Sequence, residues 1–241
     1  MDISPSFTSA ERPLGSGSIQ GASAVQLLDS TILADSFFLS TAQHADIDAV
    51  SKFIGKKGFF FAPLSDLKRE GATDFIAASF VMFGDPRTER KFTLAVRARD
   101  DEDTILGCIS FAAPKDRPAI SEISYFFDPT HFRRTLGSQS VLRAMHWLVN
   151  EGGYQKLKIR RLKATVDPEN TASIKILHRA GLEVTKRGFT LPEESPYRDK
   201  QGRPRPRLLL EGNVPTDIIP SLQKALTEQR YSLQTLVSAA L

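Results

Sequence analysis

The chain has 241 residues, long for one average domain and short for two, so one core with added ends is expected. Hydrophobic residues make up 41% and charged residues 25%, a composition that excludes a wholly disordered chain. The longest apolar run, Ile105 to Ala113, is strand-sized and far below the roughly 18 residues a membrane helix needs, and the net charge of +4 is too mild to select a class of partner.

Residues 1–28 are rich in Ser, Gly and Pro and read as a flexible tail. They lack the apolar segment of a signal peptide, and Asp2 and Glu11 beside a single basic Arg12 argue against a transit peptide, so a cytoplasmic location is expected. An α/β domain over 29–215 follows. It opens with a strand at Ser36 to Ser40 and a helix from Asp46 to Ile54, whose acidic start suits a helix N-terminus. Three strands come next, at Lys91 to Ala98, Thr104 to Ala113 and Ile120 to Phe127, with turns at Asp101-Glu-Asp103 and Pro114 to Pro118.

Apolar Val141, Leu142, Ala144, Met145, Leu148 and Val149 recur at helical spacing within Leu136 to Asn150, which Gly152-Gly153 should end. Arg161 to Asp167 alternates as a half-buried strand, Asn170 to Ala180 is a short helix stopped by Gly181, and Leu182 begins another strand. The proline-rich, basic stretch Pro192 to Arg207 reads as a loop, followed by a last strand and by helical spacing from Ile218 to Val237. Residues 216–241 are therefore expected to form a C-terminal helix, a candidate surface for homodimerisation.

Cys108 is the only cysteine, which excludes a disulfide framework, and it lies inside an apolar strand, so the thiol reads as packing. The four histidines, His44, His131, His146 and His178, show no metal-ligand spacing, and no metal is expected. Arg198 to Arg207 is basic but lacks interleaved aromatics, which fits a solvated loop better than nucleic-acid binding.

Two segments carry the chemistry. Phe126 to Ser138 runs from a strand through a short loop into a helix start. There, unpaired backbone N–H groups, Arg133 and Arg134, and the small Thr135, Gly137 and Ser138 would suit a diphosphate; an ordinary loop with exposed arginines would read the same. Val166 to Leu182 places Asn170 and Ser173 at another helix start, where Asn170 could serve only as an N-cap.

Together, Glu122-Ile-Ser-Tyr125 and Asn170-Thr-Ala-Ser173…Ala180-Gly181-Leu182 resemble the GNAT superfamily, within it the branch of ribosomal-protein N-terminal acetyltransferases. The resemblance implies an α/β (α+β) GNAT fold, a mixed, splayed central sheet flanked by helices. It also implies acetyl-coenzyme A, as co-substrate, in a cleft between the fourth and fifth strands. On that pattern the pantetheine arm pairs with backbone at Phe126 and Phe127, the diphosphate sits on Arg133, Arg134, Thr135, Leu136, Gly137 and Ser138, and Asn170 and Ser173 face the cofactor. The family's phosphate signature can be laid on Phe132 to Gly137 or on Arg134 to Gln139 and matches neither fully; a sub-branch with an Arg-Thr loop looks closest.

The activity implied is acetyl transfer to a primary amine, either a peptide N-terminus or a small molecule. Such an amine must lose a proton, and Glu122 is the candidate base, although a strand carboxylate paired with a lysine or arginine would look alike. The tyrosine many relatives carry seven residues after the asparagine is Leu177 here, leaving Tyr125, Ser173, His178, Tyr197 or a water to protonate the leaving thiolate. The alternative is a catalytically silent GNAT module that binds coenzyme A or a partner protein. The Phe- and Lys-rich segment Gly55 to Thr88 lies where such proteins commonly build the acceptor site.

Overall fold

The computed structural model describes residues 37–43, 45–52, 91–113, 119–130, 136–149, 158–190, 203 and 205–228. The sequence readings for 1–28, Gly55 to Thr88, Gly152-Gly153 and Pro192 to 202 lie outside them, as do Arg133, Arg134, Thr135 and Tyr197. In chain order the elements are β1 Phe37–Thr41, α1 Asp46–Ser51, β2 Lys91–Ala98, β3 Ile105–Ala112, β4 Ile120–Phe127, α2 Leu136–Trp147, β5 Arg161–Val166, α3 Thr171–Arg179, β6 Glu183–Phe189 and β7 Arg207–Asn213. A five-residue π turn, Val214–Ile218, then leads into a helix over 219–228, here α4.

The strands form one seven-stranded sheet in the order β1-β2-β3-β4-β5-β7-β6. Each neighbouring pair is antiparallel except β4 and β5, which run parallel and are joined through α2. A parallel pair needs such a crossover because a short turn cannot return the chain to the same end of the sheet. β5 reaches β6 through α3, with β7 inserted between them.

One sheet face and the helices α2 and α3 enclose the main core. Leu94, Ile109, Phe111, Ile123 and Phe127 of the sheet are buried in one cluster with Val141, Leu142, Met145 and Leu148. Each such side chain contributes about 1.5–3 kcal/mol by leaving water. On the other face α1 touches β3 and is tied down by Arg97. Its guanidinium donates to both carboxylate oxygens of Asp46 (2.8 and 2.7 Å), to Ser40 Oγ (2.7 Å) and to the Glu102 carbonyl (3.0 Å).

The buried surface of α2 includes Arg143, a charged position the apolar pattern passes over. Its guanidinium lies 6.0 Å from the centre of the Phe37 ring, Nη2 has no hydrogen-bond partner, and burial pulls its pKa down to about 10. The helix expected to reach Asn150 keeps α geometry to Trp147 and widens into a π turn at 148–149. At the other end of the chain, Pro215 sits in the first turn of Val214–Ile218, and Asp217 accepts the Asn213 N–H (2.8 Å), so the regular helix begins at 219.

Candidate functional site

The parallel ladder between β4 and β5 is short. Ile120, Ser121 and Glu122 lie opposite Arg161, Leu162 and Lys163, and beyond that no described residue of β5 is in register with Ile123 to Phe127. From Glu122 onward the two strands part, leaving an opening in the middle of the sheet.

Backbone alternation shows which groups line it. The Asp128 N–H donates to the Leu106 carbonyl (2.9 Å), so Ser124, Phe126 and Asp128 turn their main-chain groups towards β3. At the other end, Ala119 C=O accepts from Arg160 (2.7 Å) and Arg161 (3.1 Å), so the odd-numbered residues turn theirs towards β5. Tyr125 and Phe127 therefore present N–H and C=O groups, and Ile123 its C=O, to the opening, a strand edge that an amide-bearing ligand can extend. Of the two residues the sequence picks for this role, Phe127 has its main chain on that edge and Phe126 is paired with Cys108.

Side chains alternate in the other sense. Ile123, Tyr125 and Phe127 face α2 and α3; Glu122 lies on the opposite face, the one carrying α1. Glu122 occupies the last rung before the strands part, and its Oε2 is 3.0 Å from Lys163 Nζ, both groups partly exposed. Lys163 in turn stands opposite Glu211 on β7. An exposed pair of this kind contributes roughly 0–1 kcal/mol to stability, so its effect is mainly to hold Glu122 in place.

On the helix face, Phe127 and Gly137 bring β4 and α2 together. A Cβ at Gly137 would lie 3.3 Å from the Phe127 ring, so glycine lets the first turn of α2 settle on that ring. Leu136 is buried, and Gly137 and Ser138 are half-buried in the same turn. That turn contains no acidic residue, so nothing of its own neutralises the positive end of the helix.

α3 opens across the gap. Asn170 is its N-cap, with Oδ1 accepting the Ser173 N–H at 3.1 Å, which leaves its amide NH2 able to donate elsewhere. The turn before it is anchored by Asp167, whose Oδ2 lies 3.3 Å from Arg205 Nη1 and 3.5 Å from Arg207 Nη1. The helix ends in a Schellman motif: Gly181, at φ +88°, donates to His178 C=O (3.0 Å), and Leu182 donates to Leu177 C=O (3.0 Å). Leu177 is fully buried, and His178 Nδ1 lies 3.2 Å from Glu183.

Tyr125 bridges the two sides. Its hydroxyl donates to the Ser173 carbonyl at 3.4 Å, and burial pushes the phenol pKa well above its ordinary value. Sequence reading did not find Lys163, or the approach of Arg179 Nη1 to Ser138 Oγ at 3.3 Å. Both depend on strand register and helix packing; the alternation of β5 was the one available sign that Lys163 shares a face with Glu122. Cys108 is buried beside Asp46 and Arg97, and its raised pKa, due first to burial, makes it inert. Among the described residues no cluster of His, Cys, Asp or Glu could hold a metal ion, and no helix is long and apolar enough to cross a membrane.

Comparison with known proteins agrees with this architecture. The chain is 27% identical over 88 residues to an uncharacterized N-acetyltransferase, p20, of Bacillus licheniformis; the match covers 36% of this chain and 45%, under half, of that relative. The fold resembles ribosomal-protein-S5-alanine acetyltransferase from Vibrio fischeri, with a TM-score of 0.57 at 13% identity over 75% of this chain and 94% of that one. It also resembles yncA from Salmonella typhimurium, solved with its cofactor acetyl-CoA, with a TM-score of 0.51 at 16% identity over 76% and 97% of the two chains. The model of the acetyltransferase (GNAT) domain matches residues 37–183, well over half of the sequence, and the chain belongs to that family, whose cofactor is acetyl-coenzyme A.

Proposed function

We propose that the protein is an N-acetyltransferase acting on a primary amine, a peptide N-terminus or a small-molecule amine, and that the transfer occurs where β4 and β5 part. The observation that carries this reading is the position of Glu122 at the last rung of the parallel pair, with Tyr125 and the start of α3 on the opposite side. Bound coenzyme A supplies the acetyl group as a thioester. The edge groups of Tyr125 and Phe127 orient its amide-bearing arm, and the first turn of α2 at Leu136, Gly137 and Ser138 receives its diphosphate, with Arg133, Arg134 and Thr135 preceding that turn in the chain. Asn170 and Ser173 close the site from α3.

An α-amine of pKa near 8 is about one-tenth neutral at pH 7, and a lysine-type amine is neutral only about once in a few thousand molecules. Glu122 takes the amine's proton, directly or through a water, from the α1 face of the sheet. Tyr125 lies on the other face, where its phenol, protonated at neutral pH, is placed to donate to the departing thiolate once it leaves the Ser173 carbonyl. His178 suits this role less well, because it sits eight residues along α3 from Asn170, about 12 Å of helix, and is held by Glu183.

A second reading, a silent module that binds coenzyme A or a partner protein, has the buried Leu177 and the Lys163–Glu122 pair in its favour. Calorimetric titration with acetyl-coenzyme A, followed by a panel of peptide and small-molecule amines monitored for free thiol, separates the two. Binding with amine-dependent thiol release, lost in Glu122→Gln, is expected. Binding without release from any amine favours the silent module that binds coenzyme A, and an absence of binding overturns the enzyme reading and leaves only the module that binds a partner protein.

A further inference from the structure

We propose that Lys163 is a self-acetylation site, its side-chain amine taking the acetyl group of coenzyme A bound to the same chain; the assignment rests on the transfer site proposed above. Lys163 Nζ lies 3.0 Å from Glu122 Oε2, and the two residues stand abreast on the last rung of the parallel pair, where the strands begin to part. An amine from outside must bring its ammonium to that same carboxylate before it can react, and Lys163 is a primary amine already in that place. Its side chain is 28% exposed, and its flexible stem lets Nζ swing from the carboxylate towards the opening.

The sheet does not depend on this pair. Glu211, opposite Lys163 on β7, accepts from Thr185 Oγ1 (3.0 Å) and has Arg161 Nη1 4.0 Å away. Partly exposed ion pairs add little to stability, so the charge that acetylation removes is one the fold can lose. In the reaction Glu122 takes a proton from the Nζ ammonium, and the freed electron pair attacks the thioester carbon. The C–N bond forms and the C–S bond breaks, its electron pair leaving on sulfur. The thiolate gains a proton as the nitrogen loses its second one, which leaves an Nε-acetyl-lysine, free coenzyme A thiol and a protonated Glu122. With both reactants held on one chain, the step is unimolecular.

A lysine that only pairs with a sheet carboxylate would react no faster than any exposed lysine. Incubating the purified chain with acetyl-coenzyme A and no other amine, followed by peptide mass mapping, a thiol assay and a thermal melt of each variant, separates the two roles. Lys163 should be acetylated about 10²-fold or more faster than the exposed Lys158, Lys175 and Lys186, at a rate independent of protein concentration and with a single equivalent of thiol released. Glu122→Gln keeps an oxygen to which Nζ can donate but takes no proton, and should bring Lys163 down to the rate of the exposed lysines; Lys163→Arg should abolish the amine-independent thiol release. Modification of Lys163 no faster than of the exposed lysines, a rate unchanged in Glu122→Gln, or one that rises with protein concentration would each overturn the assignment. Thiol release with added amines while Lys163 stays unmodified sinks this assignment alone, whereas a wild type that fails to bind acetyl-coenzyme A in calorimetry sinks the transfer site with it.

Discussion

Gly107→Ala tests how closely the site depends on the packing beneath it. Gly107 sits on β3 opposite Phe127, and an added Cβ would stand 2.2 Å from Phe127 Cδ1, 2.9 Å from Cε1 and 2.7 Å from the Phe126 carbonyl oxygen. The ring must move by more than an ångström, yet the first turn of α2 rests on it at Gly137, and the carbonyl belongs to the β3–β4 ladder. Overpacking in a close-packed core costs about 1–3 kcal/mol, and the backbone contact places this substitution near the upper end. For a chain of this size about 3 kcal/mol corresponds to a loss of roughly 6–12 °C in Tm. Displacing Phe127 also shifts the strand edge and the helix start, so affinity for coenzyme A should fall together with stability. Thermal melts and calorimetry on Gly107→Ala and Gly137→Ala measure this; the latter, whose Cβ would meet the ring at 3.3 Å, should be close to neutral because alanine also favours the helix. A Gly107→Ala protein that melts with the wild type and binds coenzyme A normally would refute the reasoning.

Tyr125→Phe should slow thiol release by about 10²- to 10⁴-fold with little change in coenzyme A affinity, read by single-turnover kinetics alongside calorimetry; an unchanged rate removes Tyr125 as the proton donor. Arg143→Met should raise stability by about 1–3 kcal/mol in urea unfolding, since removing a buried charge with an unpartnered Nη2 outweighs losing the guanidinium's contact with the Phe37 ring. Asp217 has its pKa lowered below the ordinary 3.8, chiefly by the Asn213 N–H, so the stability it adds is present above that value and is lost as pH falls through the folded pKa. Asp217→Asn should therefore be less stable than the wild type near neutrality, with the difference shrinking as pH falls below the ordinary carboxylate range in acid-unfolding curves.

The local elements were legible because each carries its own signal. The strand from Ile120 to Phe127 shows in its apolar and β-branched residues, and α3 is marked at both ends, by an N-cap asparagine and by a glycine that alone adopts φ +88° without strain. That glycine is required twice over, since a Cβ there would also lie 2.4 Å from the Asp217 carbonyl, a contact no pattern in the sequence reveals. Register was not legible. Nothing in either strand announces that Glu122 and Lys163 stand abreast, or that the ladder ends with them; both follow from how far α2 carries the chain. Arg143 was passed over for a different reason, because apolar periodicity gives no weight to a charged residue even where the helix turns it inward. The diphosphate loop sits between these cases: its second half, Leu136 to Ser138, starts a helix that the pattern marks well, and the residues before it have no periodicity to read.

The three-residue pairing of β4 with β5 also bears on how the molecule breathes. β1 to β4 form one antiparallel block and β5 to β7 another, each closed by its own full ladders, with three rungs and the overlying helices joining them. Such a seam is where amide hydrogen exchange should first reveal partial opening, with each block still intact. A ligand lying along the exposed edge of β4 would supply some of the missing rungs, so occupancy should slow exchange at Tyr125 and Phe127. The cofactor would then act as a temporary strand that makes one sheet out of two.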